Sequence, residues 1–240
     1  MIDVQDYLMF ADSPLTLIGG NDSFTKLLLH MDGTNGSTTF TDSSSLATTV
    51  TPLGSTNITT SNFKFATGAG TFGGTGYGLS FPNSANYEVG AGDFTVDLWE
   101  YCTDASIASN NDALYSDFNA AGTDYSLTIY HLNSGVYVNI KFTDLTSINI
   151  NSTPITLSSW THVAVVRSGT TVTLYVNGVS AGTASAGANT VQNCVATARW
   201  IGKQGDFVGN YFAGQLDEFR FSKGIARWTS NFTPPTMAYS

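Results

Sequence analysis

The chain has 240 residues and carries 18 acidic against 9 basic side chains, a formal net charge of −9 at neutral pH. That balance excludes nucleic acid as the main partner, because phosphate binding needs a clustered cationic footprint, and it disfavours an anionic membrane surface for the same reason. Charged residues are only 11% while hydrophobic residues stand at 42% and aromatics at 12%, so Thr, Ser, Asn and Gly replace charge rather than core, and a disordered chain is excluded.

From the N-terminus, residues 1–23 stand apart. Ile2, Val4, Tyr7, Leu8 and Phe10 are too apolar for a solvated tail, and the segment ends in the expected flexible joint Gly19-Gly20-Asn21-Asp22. Two readings stay open: an edge strand or plug on the domain, or an arm that docks on another subunit through those five residues. The segment has no basic n-region, so it does not read as a secretory signal in this form. No apolar run approaches the roughly 18 residues of a membrane span.

Residues 24–240 read as one domain. Short alternating runs recur between Gly, Asn, Ser and Asp clusters, predicting strands at 26–31, 77–81, 94–99, 125–131, 136–142, 160–166, 172–176, 199–202 and 215–221. The run at 94–99 puts Phe94, Val96 and Leu98 on one face and Thr95, Asp97 and Trp99 on the other. Residues 160–176 read as a hairpin with Gly169 at its turn, and Asn177-Gly178 then supplies the two positive-φ residues of a type I′ turn. Glycine-rich 68–78 reads as a loop and tight connection. Near the C-terminus, Pro234-Pro235 stops regular structure; Trp228 and Phe232 staple an irregular strap over the domain, the minor reading being a sugar platform. Many strands and no helix long enough for a parallel crossover predict an all-β, two-sheet antiparallel sandwich.

Chemistry by spacing is sparse. Residues 68–73 spell G-x-G-x-x-G, but turn and strand follow rather than the helix a dinucleotide site needs. His30, His131 and His162 lack zinc-motif spacing, and there is no G-x-S-x-G nucleophile elbow. Cys102 and Cys194 lie far apart and read as buried thiols rather than a bridge. A glycosidase needs two carboxylates about 5 Å or about 6.5–9.5 Å apart. Asp97 and Glu100 point to opposite faces of a strand, and Asp217 and Glu218 are adjacent, so neither pair fits and a non-enzyme is expected. Glu100 interrupts the apolar face of its strand, which is expected to end there. Asp32, Asp42 and Asp217 sit where strands meet loops and offer the hard oxygens calcium prefers; capping of turns by Asx hydrogen bonds is the other reading.

Four segments in order, LLLHMDG (27–33), FTVDLWEY (94–101), WTHVAVVRSGTTVTLYVNGV (160–179) and YFAGQLDEFRFSKGIARWTSNFTPP (211–235), resemble the laminin G-like, concanavalin A-like lectin/glucanase domain family, in particular copies in tailed-phage structural proteins. The likeness covers about residues 25–236. It implies a jelly-roll sandwich, often with a calcium ion near the rim, and Asp32, Asp42 and Asp217 are the positions matching the family's recurring acidic residues. It also implies that Trp160 and His162 are structural parts of a strand. The acidic E-x-D-x-x-E strand of the glucanase branch has no counterpart here. The functional expectation is a non-enzymatic phage virion protein, a capsid decoration or a tail or fibre accessory. It would dock on other virion subunits as a homo-oligomer, after assembly in the host cytoplasm. The alternative is a calcium-dependent carbohydrate-binding module that attaches the particle to host surface glycans, with Tyr87, Tyr115, Tyr211 and Trp228 as candidate sugar contacts.

Overall fold

A computed structural model describes residues 20–104, 112–194, 196–206 and 209–240, so the expected docking residues Ile2, Val4, Tyr7, Leu8 and Phe10 lie outside the described residues. In chain order the strands are β1 (Thr25–Leu29), β2 (Thr51–Leu53), β3 (Asn57–Thr59), β4 (Ala69–Gly73), β5 (Gly78–Pro82), β6 (Phe94–Cys102), β7 (Ala113–Ser116) and β8 (Leu127–Leu132). They continue as β9 (Gly135–Lys141), β10 (Ser147–Pro154), β11 (Thr161–Ser168), β12 (Thr171–Val176), β13 (Val179–Ser185), β14 (Ala198–Ile201) and β15 (Ala213–Lys223). Sheet A runs β13-β12-β11-β6-β15-β4-β3, with β1 also on β15; sheet B runs β10-β9-β8-β7-β14-β5-β2. All pairings between these strands are antiparallel, and the two sheets face each other as a jelly-roll sandwich.

Alternation explains the layering. Phe94, Val96 and Leu98 of β6, Val163 and Val165 of β11, and Phe219 and Phe221 of β15 enter the core with Ile129 of β8 and Val138 and Ile140 of β9. The opposite face of β6 is covered as well, by the C-terminal strap. Arg227 N–H donates to Thr95 Oγ1 at 3.0 Å, and Thr95 Oγ1 donates to the Ile225 carbonyl at 3.1 Å. Trp228 stacks on Phe232 with ring centroids 4.1 Å apart and packs with Ala164, Val166 and Tyr175. At 4% exposure, Trp228 is a staple and not a platform. Asn177 and Gly178 hold the expected positive φ values of 49° and 76°. A Cβ on Gly178 would stand 2.0 Å from the Phe232 carbonyl oxygen, so only glycine lets the strap pass.

Three local expectations change. Residues 69–73 form β4 rather than a loop: a Cβ at Gly70 would lie 2.5 Å from Met31 Sδ, and the close approach removes the side chains that would have shown alternation. Strand β6 does not end before Glu100 but continues to Cys102. The stretch at 20–22 is anchored rather than loose. Asn21 N–H donates to the Ser240 carbonyl at 2.9 Å, and Asp22 is held by the Arg227 guanidinium at 2.9 and 3.1 Å. Cys102 and Cys194 are free and buried, and burial pushes the Cys194 thiol up to about 12, which leaves it unreactive.

Candidate functional site

The three expected calcium ligands do not converge. Asp42 is buried inside its own loop, where its oxygens accept from Leu28 N–H at 3.0 Å, Ser44 N–H at 2.8 Å, Ser44 Oγ at 2.9 Å and Thr48 N–H at 2.7 Å. That is Asx capping, with the carboxylate committed to backbone donors. Asp32 and Asp217 come together at the bulge of β15. There β1, paired to residues 219–222, gives way to β4, paired to residues 213–216, and Glu218 adopts φ 49°. Asp32 accepts from the N–H groups of Thr67 and Gly68 at 2.8 and 3.0 Å. One oxygen of Asp217 accepts from Lys64 and Phe65 N–H at 2.8 and 3.1 Å, while Oδ1 has no partner among the described residues. Burial, with help from Glu218 and Asp32, pushes Asp217 up to about 8. Asp32 and Asp217 thus share one bulge while Asp42 caps its own loop, and the three carboxylates do not gather around one point.

The strap-covered face of sheet A holds a buried ion-pair network. Arg220 grips Asp97 at 3.0 and 3.3 Å, the Tyr239 hydroxyl donates to the same carboxylate, and His162 Nε2 lies 3.7 Å away. Burial alone would raise Asp97, but Arg220 and His162 outweigh it and bring it down to about 2. Burial keeps His162 below its ordinary value. His162 is thus a structural part of its strand.

An accessible site lies at one end of the sandwich, where three connections meet. A cleft of about 320 Å³ is lined by Gly74 and Thr75 from the β4–β5 turn, Asp104 and Asp112 from the β6–β7 connection, and Gly209, Asn210 and Tyr211 ahead of β15. The wall is held by backbone: Tyr211 bridges both Ala113 and Lys203, and Gly74 N–H donates to the Phe212 carbonyl at 3.1 Å. The Asn210 amide, on a residue with φ 54°, donates to Gln204. At the floor Asp112 is 1% exposed; burial, then its hydrogen-bonded neighbour Asp104, pushes it up to about 7. The cleft therefore offers carboxyl, amide and phenol groups beside glycine backbone, the mixture of a few oriented polar groups that a small-ligand site uses.

Of the four aromatics considered for sugar contact, Tyr87, Tyr115 and Trp228 are buried, and Tyr211 alone lines this cleft. Asn210, Asp104 and Asp112 were missed, since residues on three loops carry no periodic signal. Beneath the floor lies a second feature that spacing did not show. Glu100 and Cys102 project inward from β6 towards His131 of β8, with Glu100 Oε2 2.9 Å from His131 Nε2. Burial would lower His131, but the Glu100 charge and contacts with Cys102 and Glu100 outweigh it and lift it to about 10. The available signal was that Glu100 and Cys102 stand two apart on one strand and so share a face.

Known structures share this architecture at low identity. The binding domain of Paraclostridial Mosquitocidal Protein 1 superposes with a TM-score of 0.66 at 14% identity over 85% of this chain and 50% of that one. The receptor binding domain of botulinum neurotoxin D gives 0.63 at 13% identity, again over 85% and 50%. The botulinum neurotoxin serotype D ligand binding domain in complex with N-acetylneuraminic acid gives 0.66 at 14% over 90% and 50%. The chain thus spans about half the length of the structures it matches. No curated protein matches it in sequence. The Laminin_G_3 family, of the concanavalin A-like lectin/glucanases superfamily, matches residues 72–227, and the chain belongs to it.

Proposed function

We propose that this chain is a non-enzymatic glycan-binding module, with the cleft at the end of the sandwich as its sugar site, carried on a phage particle. The observation that carries the reading is the cleft lining: Asn210, Tyr211, Asp104 and Asp112 around glycine backbone. Carboxyl and amide oxygens accept sugar O–H groups, and a phenol ring offers an apolar face to a pyranose. Asp104 and Asp112 hydrogen-bond each other, closer than the separation of about 5 Å or more that glycoside cleavage requires, which favours binding over hydrolysis. Two acidic groups in a chain of net charge −9 favour neutral sugars over the acidic sugar named in one of the neurotoxin structures. The phage setting rests on the likeness of four segments to tailed-phage structural proteins. In that setting, residues 1–23, with Ile2, Val4, Tyr7, Leu8 and Phe10, join the domain to other virion subunits in a homo-oligomeric assembly.

A glycan array probed with the full chain, with and without chelator, tests the sugar reading. Retention of neutral host-surface glycans is expected, lost in Tyr211→Ala and Asn210→Ala at unchanged thermal midpoint. Retention unaltered in both variants, or confined to sialylated glycans, would sink it. The chelator arm asks separately whether calcium takes part.

A further inference from the structure

Beneath the cleft floor four buried side chains meet: Glu100 and Cys102 of β6 in sheet A, Asp112 immediately before β7, and His131 of β8 in sheet B. All four are at most 1% exposed. One ligating atom from each of Cys102, Asp112 and His131 lies within 4.8 Å of the other two, the one such convergence of His, Cys, Asp or Glu groups among the described residues. Glu100 joins them through its 2.9 Å approach to His131.

These groups are brought together and left unsatisfied. Neither oxygen of Glu100, neither ring nitrogen of His131, nor Asp112 Oδ2 makes a hydrogen bond among the described residues. The Glu100–His131 approach has the distance of a hydrogen bond without its alignment. Buried polar atoms are nearly always paired, so a cluster this dense in orphans needs an explanation. An ion pair between Glu100 and His131 engages one imidazole nitrogen and leaves Asp112 Oδ2 unpaired. A cation accepting one lone pair each from Cys102, Asp112 and His131, with Glu100 beside the other imidazole nitrogen, accounts for the whole set, and it offsets the repulsion of two buried carboxylates.

We propose that Cys102, Asp112 and His131 form a metal site for a zinc-class divalent ion that pins the two sheets together under the cleft, with Glu100 orienting the imidazole through its other ring nitrogen. The donor set selects the ion: thiolate and imidazole suit zinc and its neighbours, whereas calcium and magnesium take oxygen alone. Three protein donors leave the fourth tetrahedral position to a water or a ligand group. At zinc–ligand lengths of about 2.0–2.3 Å, neighbouring donors stand about 3.3–3.8 Å apart, inside the 4.8 Å envelope that the three donors occupy. The site shares Asp112 with the cleft, but its test reads metal uptake and not sugar retention.

The test uses the full chain stripped with chelator and then titrated with Zn²⁺, Co²⁺ or Ca²⁺. Uptake of a single Zn²⁺ per chain is expected, with a raised thermal midpoint, no response to Ca²⁺, and a thiolate-to-Co²⁺ charge-transfer band in the near ultraviolet. Cys102→Ser abolishes the band and weakens Zn²⁺ by more than about 100-fold, beyond the loss typical of outer-shell changes; His131→Gln weakens it likewise. Cys194→Ser keeps the band. Absence of Zn²⁺ uptake by the wild-type chain overturns the proposal irrespective of how the variants fold. So does uptake that survives Cys102→Ser and His131→Gln, which would place the ion elsewhere.

Discussion

The outer face of sheet A and the end of the sandwich bury similar groups, a carboxylate near a histidine, and resolve them differently. On the outer face both oxygens of Asp97 are paired, by Arg220 from β15 and Tyr239 from the strap, although both ring nitrogens of His162 beside them are unpaired among the described residues. At the sandwich end Glu100, His131 and Asp112 are equally buried, yet five of their polar atoms are unpaired among the described residues. Two residues separate Asp97 and Glu100 along β6, and the pleat sends them to opposite faces. On one face the strap supplies the carboxylate's partners; on the other Glu100 lies beside the proposed metal site.

The largest expected effect breaks the strap-covered side. Arg220→Met leaves Asp97 charged and buried without its partner, and loss of one member of a buried pair costs about 3–5 kcal/mol. The double change Asp97→Leu with Arg220→Met removes both charges and recovers most of that loss. Urea unfolding of wild type, single and double variants measures the difference; a single variant no less stable than the double would mean that the two groups are not coupled.

Acid probes the same network with a smaller effect. Asp97 titrates near 2 in the fold against about 3.9 in an unfolded chain, so the unfolded state takes up its proton first. The stability from this carboxylate is fully present above about pH 4 and is lost as pH falls through 2. It is on the order of 2 kcal/mol. The groups facing it are Arg220, His162 and the Tyr239 hydroxyl. Thermal midpoints between pH 5 and 2 should fall more steeply in wild type than in Asp97→Asn, and parallel curves would contradict the assignment.

What the sequence revealed follows from which strands carry alternating apolar side chains. Phe94, Val96 and Leu98, the hairpin of β11 and β12, and the turn at Asn177-Gly178 were all legible because pattern and turn chemistry agree there. Strand β4 was hidden by Gly70, whose missing side chain admits Met31. Strand β13 has no fully buried residue and shows little apolar alternation to read, whereas Ile148 and Ile150 of β10 do alternate inward between Asn149 and Asn151, a legible pattern that was missed. The bulge at Glu218 and the loops forming the cleft depend on pairings between distant parts of the chain, such as Leu29 with Phe219 and Ala113 with Tyr211. Glu100 and Cys102 were visible as a same-face pair only if β6 ran its full length. His131 could not be matched to them, because it reaches them across the gap between sheets.

A third region lies between the two extremes, and Asp217 there measures the cost of a half-satisfied carboxylate. One of its oxygens takes two backbone donors and the other has no partner among the described residues, with Glu218, Asp32, His30 and Lys64 around it. Its folded value of about 8 exceeds the unfolded value of about 3.9, so the folded state holds the proton that the unfolded state has released. Stability from this residue is therefore greatest below about pH 4 and declines as pH rises towards 8. Asp217→Asn keeps the shape, retains an oxygen for Lys64 and Phe65 N–H, and turns an amide donor towards the neighbouring carboxylates. It should match wild type near pH 4 and exceed it by about 1 kcal/mol at pH 8, the scale of one buried unsatisfied group. Thermal midpoints of the two proteins across that range measure it directly. A variant less stable than wild type at pH 8 would show that the charged carboxylate is the form the fold prefers, and would move Asp217 to the same side of the comparison as Asp97.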